Sequence, residues 1–200
     1  MEIPPAQKRV YRVAAPRTPR LVNPGVVVIV LALAAGVFLL WSVAIGAGWQ
    51  PTSRRKVRRM LEMSEAGPDD VVYDLGSGDG RILIEAARTY HARAVGIEAD
   101  PLRVLMSRLF ISMGHLKGKT RVVWANFFHV NLGDATIVTL FLSHGANQRL
   151  KTKLLTELRP GTRVVSHVWT FDGWTPASRD PAEDLSLYVI PQRTGQPAPA

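Results

Sequence analysis

Hydrophobic positions divide the chain into one long unbroken run followed by many short ones. Of residues 26–49, twenty of 24 are apolar, and residues 21–53 carry no charge. A helix rising ~1.5 Å per residue needs ~20 residues to cross a ~30 Å hydrocarbon layer. Residues 24–49 are therefore expected to form a single transmembrane helix. Pro24 and Gly25 mark one end, and Trp41 and Trp49 lie toward the other, where interfacial aromatics belong. A buried core helix of this length would carry a polar face. A cleaved signal peptide would have a shorter apolar stretch and a shorter preceding region.

Beyond this run the pattern changes to alternating short units. Pro51-Thr52-Ser53 starts a helix capped by Ser53, with Val57, Met60, Leu61 and Ser64 on one face. Residues 71–75 read as a buried strand, 81–90 as a helix and 94–97 as a second strand. A helix follows over 101–113, with Pro101 suited to its first turn. Further strands are expected at 121–124, 135–142, 163–168 and 186–190, and a helix over 147–158 stopped by Pro160-Gly161. Such alternation implies a Rossmann-like α/β fold, a mainly parallel sheet with helices on both faces. Four segments result: a basic, disordered tail over 1–23, the transmembrane helix over 24–49, a globular domain over 50–193, and a disordered tail over 194–200.

Charge changes the picture of partners. Residues 1–20 hold Lys8, Arg9, Arg12, Arg17 and Arg20 against Glu2, and residues 54–59 hold Arg54, Arg55, Lys56, Arg58 and Arg59. These two clusters supply the whole net charge of +9. The rest is balanced, which argues against a nucleic-acid face. Positive charge favours the cytoplasmic side, so the denser cluster at 54–59 places residues 50–200 in the cytoplasm, in reach of anionic headgroups. The absence of cysteine excludes disulfides, thiolate zinc sites and a cysteine nucleophile. His91, His115, His129, His144 and His167 form no pair at metal-binding spacing, so no metal is expected.

The chemistry concentrates after the first strand, in Asp74-Leu75-Gly76-Ser77-Gly78-Asp79-Gly80. Alternate glycines between a strand and a helix permit tight turns and close approach of a ligand. The second strand ends at Glu98, eighteen residues past Gly80, where a carboxylate accepts both hydroxyls of a ribose. Together these indicate an adenosine-containing ligand. The dinucleotide fingerprint wants a small residue where Arg81 stands, and a phosphate-binding Gly-Lys-Ser/Thr is absent.

The spacing resembles the first motif of class I S-adenosylmethionine (SAM) methyltransferases. From about residue 50 to residue 176 the chain is similar to a prokaryotic group of these enzymes related to mitochondrial-type protein lysine methyltransferases. The likeness rests on Pro51-Thr52, residues 72–82, Gly96-Ile97-Glu98, residues 135–140, Asn147 with Leu150, and residues 160–167. It implies SAM as methyl donor, held by Thr52, Asp74, Gly76, Ser77, Gly78, Gly80, Glu98 and Asn126. Asp74 would order the loop or receive the methionine amino group, and Asp79 would form the turn. The group usually has Asp where this chain has Asn126, whose amide oxygen still accepts a hydrogen bond from adenine. Asn131 replaces a second Asp, and Leu142-Ser143-His144-Gly145 replaces a more apolar segment.

Direct displacement at a sulfonium methyl needs no protein nucleophile, only alignment and a neutral acceptor. A lysine amine, pKa ~10.4 in water, is helped by an apolar channel. Asn126, Phe127 and Phe128, with Trp169, Phe171 and Trp174, are the candidate channel residues; rings can enclose an ammonium stem or cap the core beneath a loop. His167 reads as a core histidine or as a base. The Asn-Pro-Pro-Tyr signature of amino-directed DNA methyltransferases is absent. The expectation is a membrane-anchored methyltransferase acting on a lysine of a membrane-associated protein. A lipid or quinone methyltransferase and a non-catalytic SAM-binding membrane module are the alternatives. The pattern sets no oligomeric state.

Overall fold

The structure is a computed structural model in which residues 23–30, 32, 33, 36 and 52–192 are described. The chain forms two compact units, Met1–Gln50 and Pro51–Ala200. In the first, residues 24–30 are helical. Val26, Val27, Val28, Ile29, Val30 and Leu33 all expose their side chains. Among the described residues no helix is long and apolar enough to cross a membrane. Most of the expected span and both expected disordered tails lie outside the described residues.

The second unit alternates helix and strand: α1 (Arg54–Met63), β1 (Val71–Leu75), α2 (Arg81–Thr89), β2 (Arg93–Glu98), α3 (Pro101–Met113), β3 (Thr120–Trp124), β4 (Ile137–Leu140), α4 (His144–Glu157), β5 (Arg163–His167), β6 (Ser178–Asp180) and β7 (Leu185–Val189). The sheet order is β3-β2-β1-β4-β5-β7-β6. The five strands β1 to β5 run parallel, and β7 and β6 close one edge antiparallel. A parallel neighbour needs a crossover, usually a helix. No helix lies between β5 and β7; the chain runs out to the sheet edge as β6, and the β6–β7 hairpin brings β7 back antiparallel between β6 and β5.

Successive side chains of a strand face opposite sides, which divides the core in two. Val72, Ala94, Val122, Ile137 and Val165 pack with α1, α2 and α3 through Met60, Leu61, Leu83, Ala86 and Val104. Tyr73, Leu75, Ile97, Val138, Leu140 and Val164 pack with α4 through Leu150 and Leu154. Polar caps fix the helix starts. Ser53 accepts from the Lys56 N–H, Asp100 from Leu102 and Arg103, and Ser143 from Ala146. Each cap is worth about 1 kcal/mol.

Two expected boundaries need correction, and one strand was not expected. α4 starts at His144 rather than 147, because Ser143 supplies its cap. β4 is shorter than 135–142. Residues 178–180 form an edge strand that its Ser-Arg-Asp sequence, lacking apolar alternation, did not announce. Three of the five basic residues at 54–59 also pair with carboxylates of the domain. Arg55 pairs with Glu183 at 2.7 Å, Arg58 with Glu85 at 2.8 Å and Arg59 with Asp180 at 2.5 Å. These pairs reduce the cluster's pull on anionic headgroups.

Candidate active site

β1 has β2 on one side and β4 on the other, so the strand order reverses there. Ligands of open α/β sheets bind beyond the C-terminal strand ends at such a reversal. The loop after β1 sits at this place. Gly76, Gly78 and Gly80 have φ of 82°, 53° and 79°. A side chain in that left-handed region costs ~1–2 kcal/mol per residue. The Gly76 and Ser77 N–H groups both donate to the Ile97 carbonyl, at 2.8 and 3.2 Å, which ties the loop to β2. A Cβ on Gly80 would fall 2.2 Å from Ser107 Oγ, and one on Gly96 would fall 2.5 Å from Ser77 Oγ. At Gly78 a Cβ would meet nothing within 4 Å, so the backbone lies open to a ligand there.

Two buried carboxylates flank the loop. Glu98 accepts from the backbone N–H of Gly78 at 2.8 Å and from those of Ala99 and Asp100 at 2.9 Å each. It is thereby clamped at the end of β2, where a ribose acceptor is needed. Asp74, 4% exposed, accepts from Thr139 Oγ1 at 2.9 Å. Burial pushes its carboxyl up to about 7; the Thr139 hydrogen bond opposes the shift, and the Glu98 and Asp79 charges add to it. Asp74 is thus poised for a cation.

Arg81 has a role that the sequence pattern did not reveal. Its guanidinium donates to Asp79 Oδ1 at 2.9 Å and Oδ2 at 2.6 Å, and to the Thr52 carbonyl at 2.6 Å. Burial would raise the Asp79 carboxyl, but its bonds to Arg81 hold it below the usual carboxylate range. The same group therefore pins Thr52, at the start of α1, to the glycine loop.

Asn126 lies exposed past β3, the strand that pairs Trp124 with Glu98. Its Oδ1 accepts from the Phe128 N–H at 3.0 Å and shapes the turn that carries Phe127. The Phe127 and Phe128 rings stand 4.7 Å apart. The three aromatics after β5 separate. Phe171 is 3% exposed and packs edge-on against Tyr188 at 5.0 Å, so it is a core residue of the loop rather than a surface of the crevice. Trp174 joins that cluster, 4.8 Å from Tyr188. Trp169 stays 45% exposed.

His167 ends β5. It is pushed down to about 4, first by burial and then by Lys56, with Asp184 opposing. Lys56 Nζ lies 2.7 Å from its Nε2, and the Phe141 ring 4.0 Å from its own. The next residue, Val168, has φ of 66°, a strained conformation for a β-branched side chain. Asn147, fully buried on α4, holds this turn: its Nδ2 donates to Ser166 Oγ at 3.0 Å and to the Trp169 carbonyl at 2.8 Å. Ser143 is an N-cap, and His144 is a first-turn residue 3.5 Å from Asp172. Ser143 serves the helix start, whereas His144 faces the loop after β5.

The reversed sheet, the open glycine loop and the clamped Glu98 fit the adenosine half of SAM, while Asp74 fits its cationic half. The same fold appears in a methyltransferase from Thiobacillus denitrificans bound to S-adenosyl-L-homocysteine, at 17% identity and a TM-score of 0.55 over 64% of this chain and 54% of that one. These features define a class I SAM-dependent methyltransferase, with SAM as its cofactor.

Residues 74–178 match the family model described as the ANTKMT methyltransferase domain, and the chain belongs to that family. A protein-lysine N-methyltransferase of Saccharolobus islandicus is 44% identical over 147 residues, 70% of this chain and 91% of that protein. The mouse adenine nucleotide translocase lysine N-methyltransferase is 30% identical over 71% of this chain; the match spans 66% of the mouse protein. A solved structure titled as an RNA methyltransferase from Salinibacter ruber, in complex with S-adenosyl-L-homocysteine, is 39% identical. Its TM-score is 0.70, over 74% of this chain and 98% of that one.

Proposed function

We propose that this methyltransferase modifies the ε-amino group of lysine in a membrane-associated protein, and that residues 24–49 anchor it with residues 50–200 on the cytoplasmic side. The observation that carries the lysine reading is the 44% identity to a protein named for that reaction, over nearly its whole length. SAM supplies an electrophilic methyl group. The protein supplies position and a dry approach for the amine. Glu98 and the glycine loop hold the nucleoside, Asp74 meets the amino-acid end, and Arg81 brings Thr52 over the loop. Phe127 and Trp169 offer the ring surfaces beside which a lysine stem loses water.

The anchor is supported by the apolar run, by the outward-facing aliphatics of residues 26–30 and 33, and by the basic cluster that follows. The Salinibacter protein, described as an RNA methyltransferase, makes RNA the second reading of the acceptor. One experiment addresses both. Membranes lacking the protein are incubated with full-length protein and methyl-labelled SAM, and label is partitioned among protein, RNA and organic solvent. Label in a protein band, released as methyl-lysine on hydrolysis and lost with Glu98→Ala, is the expected result. Label in RNA or in the organic phase overturns the lysine reading. Extraction of the chain from membranes by alkaline carbonate overturns the anchor.

A further inference from the structure

Helix α3 is apolar on the wrong side. Its inner face packs Val104, Ser107 and Ile111 into the core. Its outer face carries Leu102, Leu105, Leu109 and Met113 at spacings of three, four and four, which align them in one stripe. Leu105 is 66% and Met113 69% exposed. Phe110 is exposed too, and Trp124, at the end of the neighbouring edge strand β3, is 64% exposed. Between α3 and β3 runs a groove of about 480 Å³ lined by Leu105, Leu109, Ser112, Lys117 and Arg121. Monomeric surfaces seldom present a continuous apolar stripe without a use for it.

Charge identifies the occupant. From Pro101 to Gly133 the chain has Arg103, Arg108, Lys117, Lys119 and Arg121, and no Asp or Glu. Overall neutrality of the domain conceals this one-sided segment. Arg108, Lys117, Lys119 and Arg121 are exposed around the stripe. Leucine and methionine ringed by Lys and Arg, with an exposed tryptophan, is the pattern of a face that lies in a bilayer interface and meets anionic headgroups.

A second copy fits poorly. Like charges would face one another, and the Val122 carbonyl on the edge strand is already taken by Arg108 at 2.9 Å, which removes an acceptor that strand pairing would use. Single-stranded RNA is held by stacking on planar side chains beside positive charge, whereas this stripe is mainly aliphatic.

We propose that the outer face of α3 with the end of β3 is a membrane-docking surface for anionic bilayers, a contact separate from the 24–49 segment. It holds the catalytic domain against the lipid.

The chain has no cysteine, so Met113→Cys gives the full-length protein a single labelling site. An environment-sensitive fluorophore is attached there, or at Ala182→Cys, an exposed position just after β6 at the opposite sheet edge. The probes are vesicles of phosphatidylcholine alone or with phosphatidylglycerol. The expected result is a blue shift and quenching by headgroup-proximal nitroxide lipid at position 113, only with phosphatidylglycerol, while position 182 stays wet. Leu105→Glu with Leu109→Glu, or Lys117→Glu with Arg121→Glu, should cut the shifted fraction at least tenfold, with unchanged circular dichroism. The label reads the local contact, so it does so whether or not residues 24–49 span; carbonate extraction scores the span separately. A label at 113 as wet as at 182 overturns the proposal. So does shielding without vesicles in a species of dimer mass, or shielding by an RNA oligonucleotide alone.

Discussion

Replacing Asp74 with Asn separates what this carboxyl does for the fold from what it does for the ligand. Burial lifts it from 3.8 to about 7 in the free protein. A raised carboxyl pKa means the folded state favours the protonated form. Its contribution to stability is fully present below the unfolded value and is lost as pH rises from about 4 through about 7. At 1.36 kcal/mol per unit, the charged form costs about 4 kcal/mol. The Asn amide is neutral at every pH, and its Oδ1 keeps the Thr139 hydrogen bond.

Thermal unfolding of the detergent-solubilised variant should therefore match wild type near pH 4 and exceed it at pH 8 by roughly 10 °C, at ~2–4 °C per kcal/mol. SAM affinity should behave oppositely. A cation beside Asp74 favours its charged form, so wild-type binding tightens as pH rises through 7, and the Asn variant binds weakly with no such slope. Unfolding temperatures of the two proteins that run parallel from pH 4 to 8 would refute the desolvation argument. A retained pH slope in SAM binding would refute the cationic contact.

Other consequences are open to direct measurement. Glu98→Ala removes an acceptor clamped by three backbone donors, and titration calorimetry should show SAM binding about 10- to 100-fold weaker, at ~1.5–3 kcal/mol for a charge-assisted bond. Gly80→Ala drives a Cβ into Ser107 and should cost ~1–3 kcal/mol in denaturant unfolding; adding Ser107→Ala should restore part of it, and no restoration would point to backbone strain alone. Arg81→Ala releases Thr52 from the loop, so methyl-transfer kcat/KM should fall more than unfolding stability does; the reverse order would make Arg81 a purely structural brace. His167 should be neutral by NMR at pH 5.5, and Lys56→Met should raise its pKa by removing a like charge; a ring titrating near 6.5 in the wild type contradicts the burial.

Much of the candidate site was legible along the chain because its parts are local. The glycine loop needs left-handed backbone at alternate residues, and a strand on one side and a helix on the other mark its place. Glu98 follows from the length of one helix and one strand. Arg81, Thr139 and Asn147 were not legible as site residues. Their partners lie at Thr52, Asp74 and Trp169, distant in sequence or beyond a turn, and only folding closes those gaps. The aromatic loop shows the same limit. Phe171 and Trp169 are two positions apart, yet one is buried by Tyr188 from the last strand and the other is not.

By itself the sequence determined the order and type of the βα units, the glycine loop after β1, the apolar run at 24–49 and the separation of charge along the chain. These depend on periodicity, chirality and residue chemistry within a few turns. Tertiary structure alone decided that β7 returns antiparallel and that Ser143 caps a helix. It also decided that Asp74 loses its water, and that the apolar side of α3 faces outward beside an acid-free rim. Each of these depends on which distant surfaces meet, because burial, pKa and exposure are properties of a neighbourhood that the chain assembles only when it closes its sheet.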